Sequence, residues 1–528
     1  MAAAGVLLFA AALVFTSCSN DSDSAGTPKH AVTFSVEGGN GTIKATVGGT
    51  EISSGDAVEQ GKIVEFTATA DDPATHNVDY WTVSAGTFET GTGVSGSPIA
   101  KVKVAQPITV TVKFKLTSAP PTKVNVTFGV SGTGGTLKAE VDGTEVHSPY
   151  QAERNKVIVF TAAPANEYYA VEKWTNGSTD IAGETAVYNH TVTADADIAV
   201  HFKTAPVDVY VSVTSNNKAY VYKNGVPTQL NAHEAAPDEV RPYAVRFRGK
   251  DVYIAGGEIK YGGSRPRVWK KDGSLHWISN NRGSSAYDIA FYKGKTLVAG
   301  KTYDGTDSGA SLTDISDPGN PVVTFLYKVT SSTDNAGAHA LCTSTDTLYA
   351  AGYKRQGSTE KAFLWTLPDG GTMRETELGL QGSGIHSSVV PYSLCTAGSS
   401  VYVAAGNLWK VEGGVVTPIS VSGTKGVYAL CVYDGTVYAA GWTNSSRAAV
   451  WKIEGTSASL YKELSTVSVV VYALCAAGGN LYAAGSYQDT DYKEKPVWWH
   501  IAADGTVTEN KLGTKKGEAR GICVTAQE

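Results

Sequence analysis

The chain has 528 residues, 57 of them glycine, and a formal net charge of −6. That length is too great for one domain, and the glycine content together with strand-rich stretches favours several all-β modules over helices. No run of Lys or Arg occurs, which argues against nucleic acid as a partner, because phosphate binding needs a basic footprint.

Residues 1–17, MAAAGVLLFAAALVFTS, are small and apolar and are followed by Cys18. The stretch falls short of the roughly 20 apolar residues of a membrane-spanning helix and fits the apolar region of a secretory signal. Phe15-Thr16-Ser17-Cys18 resembles the lipobox of bacterial lipoproteins. The resemblance implies cleavage ahead of Cys18, lipidation of that cysteine and a membrane partner reached through the lipid. Ser19 rather than Asp follows it, which by resemblance to Gram-negative lipoproteins implies the outer membrane, on a side the sequence does not name. An ordinary cleaved signal with an incidental cysteine is the alternative. No Lys or Arg precedes the apolar stretch, a departure that puts the true start of the chain in question. Residues 18–30, opening Ser19-Asn20-Asp21-Ser22-Asp23-Ser24, read as a hydrophilic tether.

Residues 31–115 and 125–204 are copies of one module joined by a short Pro-bearing linker, 116–124, expected to be semi-rigid. GTIKATVGGTEI at 41 recurs as GTLKAEVDGTEV at 135, Lys62–Thr67 recurs as Lys156–Thr161, and Trp81 recurs as Trp174. Alternation with period two between Gly-rich turns predicts about five short antiparallel strands in each. The modules resemble the internalin B-type (Listeria–Bacteroides) repeat of bacterial surface proteins, in the opening G-T-x-x-A-x-V-x-G-T, the K-x-V-x-F-T strand and the lone Trp. That resemblance implies a spacer or adhesion stalk. The Gly-Tyr usual ahead of the Trp is missing: Val78-Asp79-Tyr80 stands in the first copy and Glu167-Tyr168-Tyr169 in the second. Trp81 and Trp174 are expected in the core, with an exposed ligand platform as the alternative.

From residue 205 to 528 one phrase repeats: an apolar strand, a turn, a second strand ending in Ala-Gly or Gly-Gly, a polar loop, a strand carrying an aromatic, and an Asp/Glu/Asn-Gly turn. Its clearest copy is Val427–Leu464. The first copy, Asp208–Leu230, lacks the opening strand, and Arg520–Thr525 is that strand with nothing after it. Seven turn-bearing copies match seven opening strands, so the repeat predicts a seven-bladed β-propeller closed by its C-terminal strand, which leaves no open sheet edge. The ending Val252–Gly257 (VYIAGG) resembles a kelch repeat. The likeness is to kelch-like propellers in general, and it implies an architecture rather than an activity.

Mapping the repeat puts Tyr243, Tyr287, His339, Tyr392, Tyr428, Tyr472 and Arg520 at the start of the seven inner strands, as a ring around the mouth of the axial channel. They either fill space between blades or bind a ligand. Behind the second strands come Tyr261, Tyr303, Tyr353, Trp442 and Tyr487, with Tyr492 in the longest loop; variable loops on a fixed scaffold are where recognition resides. Tyr and Trp suit both sugar rings and protein hot spots. The third-strand aromatics Tyr222, Trp269, Trp365, Trp409, Trp451 and Trp499, replaced by Thr313 in one copy, are expected in the core. Cys342, Cys395, Cys431, Cys475 and Cys523 share the fourth position of the opening strand, where Arg246 and Ala290 stand in two copies. Small buried free thiols explain this best; disulfides or a metal site compete, although no CxxC pair exists.

Catalytic motifs are absent: no H-E-x-x-H, no G-x-S-x-G, and no strand–helix context for a phosphate loop. Asp304 and Asp307 read as turn formers before calcium ligands. Asp304, Asp489, Asp491 and Glu494 leave glycoside chemistry open without supporting it. The expectation is a non-enzymatic, lipid-anchored envelope binding protein, without cofactor or metal, whose propeller face meets a glycan or protein ligand. A periplasmic scaffold and a propeller-type carbohydrate-active enzyme are the alternatives.

Overall fold

Short apolar alternations broken by Gly, Asn and Asp leave no stretch suited to a helix, and strands carry the architecture. A computed structural model describes residues 27–117, 123–379, 390–465, 469–491 and 493–527, and every regular element among them is a strand. The signal segment, Cys18, most of the linker and Tyr492 lie outside the described residues. The chain divides into two compact units, one built on the first module and the other on the second module with the propeller.

The first module is a pair of four-stranded sheets around Phe66, Trp81, Val102 and Val110. Its first strand, Lys29–Glu37, pairs in parallel with its last, Ile108–Leu116. Eight strands replace the expected five, and one pairing is parallel. Three-residue strands such as Thr50–Ile52 and Ala57–Glu59 are too short to show an alternation. Trp81 is buried and its indole N–H donates to the Ser97 carbonyl at 2.9 Å, the partner a buried indole requires. In the second module, Lys123–Ser131 again pairs in parallel with Ala196–Thr204, and Trp174 donates to the Thr185 carbonyl at 2.8 Å. Both tryptophans are core residues.

The propeller has seven blades, each a four-stranded antiparallel sheet, with one extra two-residue strand, Ser420–Val421, on the sixth. In chain order the inner strands of blades 2 to 7 are Glu239–Arg248, Ser285–Tyr292, Asn335–Thr343, Ser393–Ala397, Thr424–Tyr433 and Val469–Ala477. Blade 1 takes its inner strand from the C-terminus: Gly517–Ala526 pairs with Val207–Ser215, setting Cys523 opposite Tyr210 and Ile522 opposite Val211. Between blades pack the third-strand tryptophans, Trp269, Trp365, Trp409, Trp451 and Trp499, each at most 2% exposed. Tyr222 is half-buried in blade 1, and Thr313 is buried in the tryptophan's place in blade 3.

Six inner strands carry a β-bulge, and the extra residue is Tyr243, Tyr287, His339, Tyr428, Tyr472 or Arg520. A bulge inserts one unpaired residue and re-aims its side chain. These residues therefore lie within the inner strands rather than at their starts, which corrects the sequence mapping; only Tyr392 directly precedes its strand. The bulge also explains the Ala-Gly ending of the second strand. A Cβ at Gly352 would lie 2.0 Å from the Gly337 carbonyl oxygen, and one at Gly300 would lie 1.9 Å from that of Ser285. Gly256, Gly441 and Gly485 meet the same obstruction. Gly352→Ala is expected to destabilise the protein by about 1–3 kcal/mol, the usual cost of overpacking. Guanidinium unfolding checks the magnitude, and the same change at the open-turn Gly357 serves as a strained but uncrowded comparison.

Candidate functional site at the propeller mouth

The bulged residues surround an axial cavity of about 720 Å³, lined by Tyr243, Tyr287, His339, Tyr392, Tyr472 and Arg520 among others. None of the five ring tyrosines is fully buried, so they are not merely filler between blades. Tyr287 and His339 stack with centroids 3.8 Å apart, Tyr243 stands 5.3 Å from Tyr287, and Tyr353 meets His339 edge-on at 5.6 Å. On the far side Tyr392 and Tyr428 meet at 5.2 Å, and the Arg520 guanidinium lies 4.7 Å over Tyr472. Burial pushes the His339 imidazole down to about 3 and the Tyr287 and Tyr472 phenols up to about 12. All three are neutral near pH 7, and His339 Nε2 has no protein partner.

Cys342, Cys431, Cys475 and Cys523 line the cavity with Arg246 and Ala290, and Cys395 holds the same repeat position. All five thiols are free, and burial pushes each one up, Cys475 to about 12, so they act as compact apolar spacers. Among the described residues no cluster of His, Cys, Asp or Glu suits a metal ion. Arg246 pairs with Asp288 of the next blade at 2.9 Å while 41% of its side chain remains accessible, so its other edge faces the cavity. Asp288 also accepts the backbone N–H of Ile289 and, across to the following blade, that of Leu341 at 2.9 Å. Ser393 does the same for Leu430 at 3.1 Å. Sequence reading missed Asp288. Its signal was an outlier: the position holds Ala, Ser or Gly in the other six copies.

Tyr168 of the second module also lines this cavity, and its hydroxyl donates to the Val524 carbonyl on the closing strand at 2.8 Å. Burial raises its pKa. The Glu167-Tyr168-Tyr169 segment that departs from the repeat pattern is therefore a docking element. The second module belongs with the propeller rather than to a free stalk.

Beside the axial cavity, sharing Tyr392, Tyr472 and Arg520 with it, is a pocket of about 380 Å³ completed by Tyr428, Trp442, Ser486, Gln488 and Glu494. Arg520 Nε donates to Glu518 at 2.7 Å. Burial together with the neighbouring Glu518 holds the Glu494 carboxyl above its ordinary range.

The outer-loop aromatics divide. Tyr261 is 76% exposed at a hairpin turn and Tyr303 is exposed, whereas Tyr353 and Trp442 turn in toward the mouth. Tyr487 is buried in the core between blades 6 and 7, because it stands two residues beyond Gly485 on the face that also buries Thr302 and Thr443, so it is no recognition residue. Asp489 and Asp491 both pair with Lys495, at 2.8 and 3.3 Å, and Asp489 is held down at about 2, unsuited to proton transfer near neutral pH. Asp304 closes its own turn by accepting the backbone N–H groups of Thr306 and Asp307.

No family profile and no curated protein matches the chain. Among solved structures it is similar to a putative 6-phosphogluconolactonase from Bacteroides fragilis, at 13% identity over 60% of this chain and 98% of that one, TM-score 0.36. It is similar also to the β-propeller domain of the trilobed protease from Pyrococcus furiosus, at 13% identity, 58% and 95% coverage and TM-score 0.34. The WD40 propeller of Doa1 follows at 12% identity, 44% and 70% coverage and TM-score 0.29. At these scores the likeness carries nothing about function.

Proposed function

We propose that this chain is a lipid-anchored envelope protein whose propeller binds a glycan or protein ligand at the channel mouth without turning it over. The observation that carries the binding reading is the bulged ring. Five of the six bulged residues, Tyr243, Tyr287, His339, Tyr472 and Arg520, line one open cavity and the sixth, Tyr428, lines the pocket beside it, where plain inter-blade packing would not require them. Anchoring rests on the lipobox-like sequence ending at Cys18, and a spacer role falls to the first internalin B-like module. Metabolic labelling with palmitate tests the anchor, with loss of label expected in Cys18→Ser. Binding is tested with full chain on immobilised oligosaccharides and purified envelope proteins, comparing wild type with Tyr287→Ala/His339→Ala. Loss of two stacked rings is expected to weaken binding by about tenfold or more. Equal affinity in the double variant overturns the mouth as the site.

A further inference from the structure

We infer that the pocket beside the axial cavity is the subsite for one neutral, hydroxyl-bearing ring of a glycan chain whose remainder runs into the axial cavity; this rests on the mouth being the recognition face. Four aromatic side chains from three consecutive blades, Tyr392, Tyr428, Trp442 and Tyr472, line a volume of about 380 Å³, within the range of small-ligand sites. Flat apolar faces with polar edges suit a sugar ring, which offers C–H groups on its faces and hydroxyls around its rim. The two cavities share Tyr392, Tyr472 and Arg520, so a ligand longer than one ring is continuous between them.

The charges in the pocket are already committed. Arg520 donates Nε to Glu518 and is ion-paired to the same carboxylate through Nη2. Lys425 lies 5.1 Å over Trp442 and donates to Ser446 Oγ at 3.0 Å. Burial, with Glu518 nearby, raises the Glu494 carboxyl above its ordinary range. An anionic sugar would meet the Glu494–Glu518 pair, and a cationic one would meet Arg520 and Lys425. A neutral ring meets donors and acceptors without opposing charge.

Glu494 lines this pocket, and burial together with Glu518 raises its carboxyl pKa. The groups facing it are Glu518 and Arg520 on the closing strand, Lys516 just ahead of that strand, and Tyr472 on the inner strand of blade 7. Ionising Glu494 sets a second carboxylate against Glu518, so affinity falls as pH rises through the titration of Glu494.

Calorimetry on the full chain with maltohexaose, cellohexaose and mannohexaose, and with hexagalacturonate as the charged comparator, tests this. At least one neutral chain is expected to bind, with hexagalacturonate about tenfold weaker or worse. Trp442→Ala is expected to weaken neutral binding about tenfold, and Glu494→Gln to bind as wild type does at low pH while losing the pH dependence. Thermal melts check folding, and Trp442→Phe, with an intermediate loss, stands in if the alanine variant does not fold. Preference for hexagalacturonate, or no binding of any neutral chain, overturns the subsite. So does neutral binding that Tyr287→Ala/His339→Ala abolishes but Trp442→Ala and Glu494→Ala leave unchanged, an outcome that leaves the mouth itself standing.

Discussion

Deleting residues 517–528 is expected to abolish cooperative folding of the propeller rather than trim its stability. The closing strand supplies the whole inner edge of blade 1, with nine residues in register against Val207–Ser215. It buries Ala519, Ile522, Cys523 and Val524, and it is clasped at its end by Tyr168 and by Gln527, whose N–H donates to the Pro206 carbonyl at 2.8 Å. Burial contributes about 1.5–3 kcal/mol for each large apolar side chain. Ladder hydrogen bonds add about 0.5–1.5 kcal/mol each, net. The sum is comparable to the roughly 5–15 kcal/mol that holds a whole domain. What remains would be an open edge along Val207–Ser215, a template for association with other chains. Fluorescence of the buried blade tryptophans should lose its sigmoidal denaturant transition, and size exclusion should show aggregates. Supplying residues 517–527 as a separate peptide should restore part of the transition. A truncated chain that unfolds cooperatively within about 2 kcal/mol of the full one would show that the other six blades hold the ring without closure.

The offset repeat carried the architecture in the sequence, because a missing first strand and a surplus last one have only one economical resolution. Blade number and the buried role of Trp269, Trp365, Trp409, Trp451 and Trp499 followed from the same periodicity. The site was only half legible. The ring residues stood out as a recurring position, yet nothing local to Tyr287 or His339 marks a bulge; the mark was on the partner strand, in Gly300 and Gly352, where the displaced carbonyl leaves no room for a Cβ. Tyr487 misled because it follows its strand glycine by two residues where Tyr353 and Trp442 follow theirs by one, and the alternation of a strand turns it inward. Glu494 opens the third strand of blade 7 and Glu518 lies on the closing strand packed beside it, a neighbourhood set by blade-on-blade packing and not by any local pattern. The docking role of Tyr168 showed solely as a departure from a family pattern.

Arg246 and Asp288 illustrate why substitutions within a repeat are informative. Where five blades place a thiol, blade 2 places a guanidinium, and where six blades place a small residue, blade 3 places a carboxylate. The two changes sit on neighbouring inner strands and satisfy each other. Asp288 then caps a backbone donor of blade 4, so one side chain ties three blades together around the cavity that the ring overlooks.

Glu258→Ala should be the most damaging single truncation in blade 2, costing about 3–5 kcal/mol. Glu258 and Arg267 are both fully inaccessible, and the guanidinium donates to the carboxylate through Nε at 3.0 Å, with Nη2 in ion-pair contact at 2.8 Å. The same carboxylate accepts the backbone N–H groups of His233 and Glu234, in the segment that leads from blade 1 into blade 2. Removing it strands a buried cation and two donors together. Arg267→Met should cost less, since the carboxylate keeps its two backbone donors and Glu234, with Arg265 and Lys260 beside it, remains near the surface. In Glu258→Ala/Arg267→Met the stranded charge is gone, but the His233 and Glu234 donors still lack an acceptor, at about 1–3 kcal/mol. The double variant should therefore fall between the two singles. Urea unfolding of the four proteins measures the coupling directly. A double variant as unstable as Glu258→Ala would mean that the loop anchorage, rather than the buried charge, dominates the cost.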